Sequence, residues 1–333
     1  MDESQAGSVR RSAPTRRRRV AVCVLATALG GTVLLGAQQG RPAAETVLHL
    51  MPVQGNVHML VGAGANIAVQ VGKDAVLLVD TPPPALVPQV VAEVRRLSDK
   101  PIRVIVNTSA DAEHMGGNAA FVGPAGARGT GGAPFGTLGL TRPAIVAHVQ
   151  VLSRLASAPA GSVPPAALPT TTYDLPTMDF SLNGEPVVLV HAPAAHTDGD
   201  SIVWFRRSDV LAVGDLFRLD RYPDVDVARG GGIEGLVAAL DHVIDITVPE
   251  RLQDGGTRVI PGHGRLSNEA DVVEYRDMVT IIRDRVRDMV RKGLTLEQVR
   301  AARPTRDYDT RYGSGEALTE AAYRSLAAAR GTR

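Results

Sequence analysis

Apolar positions fall along the chain in two β-rich blocks, each followed by helical spacing. From about residue 47 the runs VLHLM, VHMLVG, NIAVQV and AVLLVD succeed one another, the last ending at Asp80. They are short, rich in Val, Leu and Ile, and punctuated by Gly, Asn or Asp, which predicts an antiparallel meander. Thr81-Pro82-Pro83-Pro84 breaks the block. Leu86, Val87, Val90, Val91, Val94 and Leu97 then recur at helical spacing, and the strand IRVIV (102–106) leads into Asn107. Between about 119 and 176 Gly, Ala and Pro dominate, which reads as a long loop and cap region holding one helix at 144–155.

The second block begins near Pro186 with PVVLVH, then DSIVWF (200–205), DVLAVG (209–214) and TRVI (257–260), with helical spacing at 232–246. Val272, Val273, Met278, Val279, Ile282, Val286, Met289 and Val290 form one apolar helix face, closed by Gly293. Thr295 and Gln298 fit a capping box that opens another helix, and a last helix is predicted near 316–330. Two β series, each followed by helices, predict an α/β protein. Its architecture is a single four-layer αββα sandwich over 47–333, with C-terminal helices from 268 to 330.

The first 46 residues follow a different pattern. Arg16 to Arg19 precede eighteen uncharged residues, Val20 to Ala37, ending in small side chains. A basic stretch followed by an apolar one is the layout of an export signal, and its length equally fits an inner-membrane anchor. Segment 1–37 is therefore read as a signal peptide or anchor, 38–46 as a linker, and the protein as periplasmic or extracellular. The formal net charge of +1 conceals this asymmetry: six arginines against Asp2 and Glu3 give +4 for residues 1–37, leaving −3 for the rest. That balance excludes chain-wide basic character of the nucleic-acid-binding kind. The single cysteine, Cys23, lies in the apolar run, so an intrachain disulfide and a Cys-ligated metal site are both excluded.

Ionisable residues recur just past the predicted strands. They lie in Asn107-Thr-Ser-Ala-Asp-Ala-Glu-His-Met-Gly-Gly-Asn118, Ala195-His-Thr-Asp-Gly-Asp200, Val213-Gly-Asp-Leu-Phe217 and Pro261-Gly-His-Gly264. A hydrolytic metal site needs such a set: N and O ligands from separate elements, with positions left open for water. Singly, each is an ordinary turn or cap.

Together, in this order, they resemble the metallo-β-lactamase fold superfamily over roughly residues 47–293. The family pattern is His-x-His-x-Asp-His before Gly-Gly-Asn, then HTxGD, an Asp or Cys after a strand, and a PGHG-like turn. Asp80 stands where the family has a structural Asp. On SADAEHMGGN the first two family histidines become Ser109 and Asp111, the Asp becomes Glu113, and His114 is retained. His196, Asp215 and His263 match.

The resemblance implies one metal on Glu113, His114, Asp215 and His263, and a second, weaker one on Asp111 and His196 sharing Asp215. Zn²⁺ is the expected ion, one or two per chain, and the excess of oxygen ligands admits Fe or Mn. Glu113 carries one more methylene than Asp, and ligand distances tolerate only about ±0.2 Å, so its use requires compensation elsewhere. Asp111 is open to a second reading as a loop carboxylate. Ser109 is expected to bond the backbone or a water, Asp198 and Asp200 to shape their turn, and His148 and His191 to be structural.

The function implied is an exported hydrolase in which a metal-activated water attacks an acyl centre (ester, thioester or lactam) or a phosphoryl centre of a small molecule. Glu113 or Asp111 would accept or relay the proton. The chain resembles the broad hydrolase branches, glyoxalase-II-like or the exported type linked to quinoprotein or sulfur metabolism, more than true β-lactamases. The alternative is a non-catalytic metal- or ligand-binding protein on the same fold.

Overall fold

A computed structural model of the chain describes residues 47–122 and 142–331. The signal or anchor segment 1–37, the linker 38–46 and most of the Gly/Ala/Pro-rich stretch 119–143 lie outside them. Among the described residues no helix is long and apolar enough to cross a membrane.

Strands β1 (His49–Gln54), β2 (Val57–Val61), β3 (Ile67–Val71) and β4 (Val76–Val79) form the expected antiparallel meander. Helix α1 (Val87–Leu97) carries the chain across to β5 (Ile102–Val106), which pairs parallel to β4. The short helices α2 (Ala112–Met115) and α3 (Asn118–Val122) follow. The sheet is completed by β6 (Ala144–His148) and β7 (Thr171–Tyr173), both parallel, with α4 (Val149–Ala156) between them.

The second sheet contains β8 (Thr177–Leu182), β9 (Glu185–Ala192), β10 (Asp200–Phe205), β11 (Val210–Ala212) and β12 (Arg258–Ile260), in the order β12-β11-β10-β9-β8. Helix α5 (Ile233–Ile246) links β11 to β12. The chain ends in α6 (Glu269–Arg291), α7 (Leu296–Ala302), α8 (Asp309–Tyr312) and α9 (Glu316–Gly331).

The inner strands of the first sheet read as unbroken apolar runs because both of their faces are buried. Leu77 and Val79 of β4, and Val104 and Val106 of β5, point at the second sheet and meet Leu189, Val203, Phe205 and Ile260. The alternate residues Val76, Leu78 and Ile105 point outward against Val90 and Val94 of α1. On the far side Leu236, Leu240 and Val243 of α5 pack with Val279, Ile282 and Val286 of α6 and Leu318 and Ala322 of α9 over the second sheet. Three apolar layers therefore separate four structural ones, which is the αββα sandwich.

Local signals set the helix ends. Thr295 and Gln298 form the reciprocal capping box, Asn268 and Asp271 form another before α6, and Gly293 takes the left-handed conformation (φ 79°) beyond α6.

One prediction is corrected. Residues 144–155 are a strand and a helix, with His148 between them as N-cap. An apolar run of this length fits either state, and pairing with β5 decides it for residues 144–148. β7 and β8 also escape the sequence reading: β7 is three residues long, and only Phe180 and Leu182 of β8 are buried.

Candidate metal centre

Asp80, at the end of β4, is a buried non-glycine residue in the left-handed region (φ 69°). That conformation turns its carboxylate under the loop after β5. Thr108 donates to it twice, from its N–H (2.7 Å to Oδ1) and its hydroxyl (2.8 Å to Oδ2). His114 Nδ1 lies 2.7 Å from Asp80 Oδ2. A carboxylate only accepts, so Nδ1 carries the proton and Nε2 is turned to the site.

Around that nitrogen the chain converges. His114, Asp215 and His263 each offer a ligand atom, and the three atoms lie within 4.8 Å of one another. His114 Nε2 is 3.2 Å from Asp215 Oδ2, and His263 Nε2 is 3.6 Å from Asp215 Oδ1. His114 Nε2, Asp215 Oδ1 and His263 Nε2 are nonetheless buried and make no hydrogen bond. Buried polar atoms are normally satisfied, so three unsatisfied ones facing a common point indicate a missing partner that accepts lone pairs.

A second set, Asp111, His196 and Asp215, adjoins the first and shares Asp215. His196 Nε2 is 3.2 Å from Asp111 Oδ2, and its Nδ1 is 3.2 Å from Asp200 Oδ1. Asp200 also accepts from the Thr197 N–H at 2.6 Å and the Thr197 hydroxyl at 2.8 Å. It shapes the turn as expected and orients His196 as well. Of the six residues singled out in the sequence, Glu113 alone falls outside both sets. It projects half-exposed from α2 with Oε2 3.0 Å from His263 Nε2, over the cluster rather than within it.

Several supports were not legible beforehand. Asn66 clamps the turn that carries His263: its N–H donates to Gly262 O at 2.8 Å, and its side-chain amide to Pro261 O and Gly264 O at 3.0 Å. Asn107 and Asn118 exchange side-chain hydrogen bonds, and Asn107 also donates to His114 O at 2.9 Å. Gly262 has a close-approach reason to be glycine, since a Cβ there would stand 2.6 Å from Asp215 Oδ1. Arg218 is buried beneath the site, 3.7 Å from Asp215 Oδ1, and held by Asp220 and Asp224. Nothing in RLDRYPDVD separates Arg218 from a solvated loop arginine.

Ser109 Oγ accepts from the Asp111 N–H (3.2 Å), and Asp198 pairs with Arg154. His148 and His191 stack on each other with ring centroids 3.6 Å apart and line neither cavity beside the site.

Electrostatics separates the histidines. Burial disfavours a charged His114, but Asp80 and Asp215 raise its pKa well above the ordinary value. Burial likewise opposes charge on His196, and Asp111 and Asp200 push it up to about 10. Burial lowers His263, with Arg218 adding to the effect against Asp215. Asp215, which burial alone would raise, is held far below the carboxylate range by His114, His196 and Arg218.

The site opens into a cavity of about 490 Å³ whose far wall is α9, through Ala317, Glu320, Ala321 and Arg324. Its lining includes six carboxylates (Asp111, Glu113, Asp215, Asp224, Asp226, Glu320) against three guanidiniums (Arg221, Arg229, Arg324), a balance that favours a bound cation. Carboxylates, and imidazoles that give up the proton on the ligating nitrogen as the metal binds, are the donors that zinc, iron and manganese accept. The residues fit a metal ion.

Residues 60–263, more than half of the chain, match the family model for the metallo-beta-lactamase superfamily. The chain belongs to this superfamily. Among solved structures, a metallo-beta-lactamase from Pontibacter korlensis aligns over 70% of this chain and 99% of its own at 14% identity, with a TM-score of 0.53. The DIM-1 metallo-beta-lactamase is similar at 15% identity over 70% of this chain and 97% of its own (TM-score 0.53). The stereoselective inverting sec-alkylsulfatase Pisa1 from Pseudomonas sp. matches 84% of this chain at 16% identity and a TM-score of 0.60, and this chain spans half of its length. Identities this low establish the shared fold. No curated sequence matches the chain. In this superfamily metal ions, typically zinc, are bound, and the fold is of the hydrolase type.

Proposed function

We propose that this superfamily member is an exported metal-dependent hydrolase acting on a small molecule at an acyl, phosphoryl or sulfuryl ester-type bond. The observation that carries the reading is the set of three buried, unsatisfied atoms, His114 Nε2, Asp215 Oδ1 and His263 Nε2, joined through Asp215 to the lining of an open cavity. His114, Asp215 and His263 would hold the metal, with Zn²⁺ the first candidate and Fe or Mn alternatives. When bound, the ion supplies Lewis acidity toward a substrate oxygen and acidifies water at neutral pH.

The chain's own residues do the rest. Asp80 keeps the proton of His114 on Nδ1, and Arg218 anchors Asp215 from below. Glu113 Oε2, half-exposed beside His263, is placed to take a proton from a water at the cavity floor and return it to a leaving group. Arg221 and Arg324, paired with Asp224 and Glu320 at the cavity wall, offer guanidiniums to a substrate carboxylate, phosphate or sulfate, while Ala317 and Ala321 leave room above. The sulfuryl class is added because one fold neighbour is an alkylsulfatase. The basic-then-apolar pattern of residues 16–37 supports export, with the anchor as the alternative.

The test is a panel of ester, thioester, lactam, phosphate-ester and sulfate-ester substrates, assayed after loading with Zn²⁺, Mn²⁺ or Fe²⁺. The expected result is metal-dependent turnover of one class, lost with tight metal binding in His263→Ala. Unchanged metal stoichiometry in that variant would overturn the assignment. Bound metal with no turnover of any class would favour a non-catalytic metal-binding protein.

A further inference from the structure

The two candidate ligand sets adjoin but are not alike. In the first, three atoms are buried with no partner. In the second, Asp111 already has a cation: Arg229 Nη1 is ion-paired with its Oδ1. This arginine is a built feature and not a wandering surface side chain. Asp226 holds its Nε at 2.6 Å and accepts from its backbone N–H at 2.9 Å. The surrounding turn is hydrogen-bonded to the loop that bears His196, through Asp226 N to His196 O (2.9 Å) and Asp198 N to Arg229 O (3.0 Å). The left-handed Gly230 and the close-packed Gly231, whose Cβ would meet His196 O at 2.2 Å, fit that turn against the loop.

With the guanidinium on Oδ1, Asp111 keeps only Oδ2 toward His196 and its charge is already balanced, so the second set has the shared Asp215 as its one uncompensated carboxylate. A divalent ion there would also stand beside a fixed positive charge. We propose that Arg229 takes the place of a second metal: the centre holds one ion on His114, Asp215 and His263, and the guanidinium supplies the other positive charge. This rests on the metal-dependent reading above. It replaces the expectation of a second, weaker metal on Asp111 and His196.

The test is Zn²⁺ stoichiometry and affinity of the full chain, by competition with a chromophoric chelator and by elemental analysis after dialysis. Wild type is expected to retain one equivalent. Arg229→Met is expected to bind a second equivalent at least tenfold more tightly than wild type does, Arg229→Lys to stay at one, and the gain to vanish in Arg229→Met/Asp111→Ala. Two equally tight equivalents in wild type would overturn the proposal without touching the hydrolase reading. So would a second equivalent no tighter in a folded Arg229→Met. No retained metal in wild type would overturn both. The wild-type stoichiometry decides the matter even if Arg229→Met does not fold.

Discussion

Asp80→Asn isolates the role of a carboxylate that never reaches the cavity. Asn is nearly isosteric and, like Asp, tolerates the left-handed conformation at φ 69°, so the backbone is not forced to move. Its amide oxygen can still accept from the Thr108 N–H, now 2.7 Å from Oδ1. The other position becomes an NH₂ facing His114 Nδ1 at the 2.7 Å contact, and two donors cannot share it. His114 then has to accept at Nδ1 and carry its proton on Nε2, the atom that faces the metal cluster. Partners that orient a ligating histidine are worth about 10- to 100-fold in metal affinity, or roughly 1.4–2.7 kcal/mol. The lost charge-assisted bonds should also cost the apo fold about 1–3 kcal/mol. Chelator competition measures the first quantity and urea unfolding of the apo protein the second. A folded variant with wild-type Zn²⁺ affinity would refute the argument that Asp80 sets the tautomer of His114.

Other consequences are less central. Burial and the stacked His191 lower His148 to about 4, below its ordinary 6.5, so the unfolded chain takes up the proton first as pH falls. Its stabilisation is present above pH 6.5 and is lost between there and about 4. Asn keeps an N-cap acceptor, so His148→Asn should flatten the fall in unfolding free energy across that window, and an unchanged slope would count against this histidine. Gly235→Ala would place a Cβ 1.9 Å from the Ala194 carbonyl oxygen, so a loss of about 3 kcal/mol is expected in urea unfolding. A loss below 0.5 kcal/mol, about the range of an ordinary surface substitution, would mean that α5 is free to shift away from the His196 loop.

The layer order followed from local physics. Runs such as AVLLVD and the 3.6-residue stripe of α6 state which faces need burial, and only a few layer arrangements satisfy them all. The ligand types His114, Asp215 and His263 were legible too, through four short patterns after strands that are ordinary turns singly and carry a resemblance only in their order along the chain. Strand β6 was not legible, since four apolar residues take the state their neighbours allow. Nor were the charge partners. Asp80 lies 34 residues from His114, and Arg229 lies 118 from Asp111. Such pairings depend on distance through space and on the loss of competing water, and neither quantity exists until the sheets have packed. For the same reason Glu113, a ligand by resemblance, ends beside the cluster, and the ion pair of Arg229 with Asp111 is invisible in the sequence.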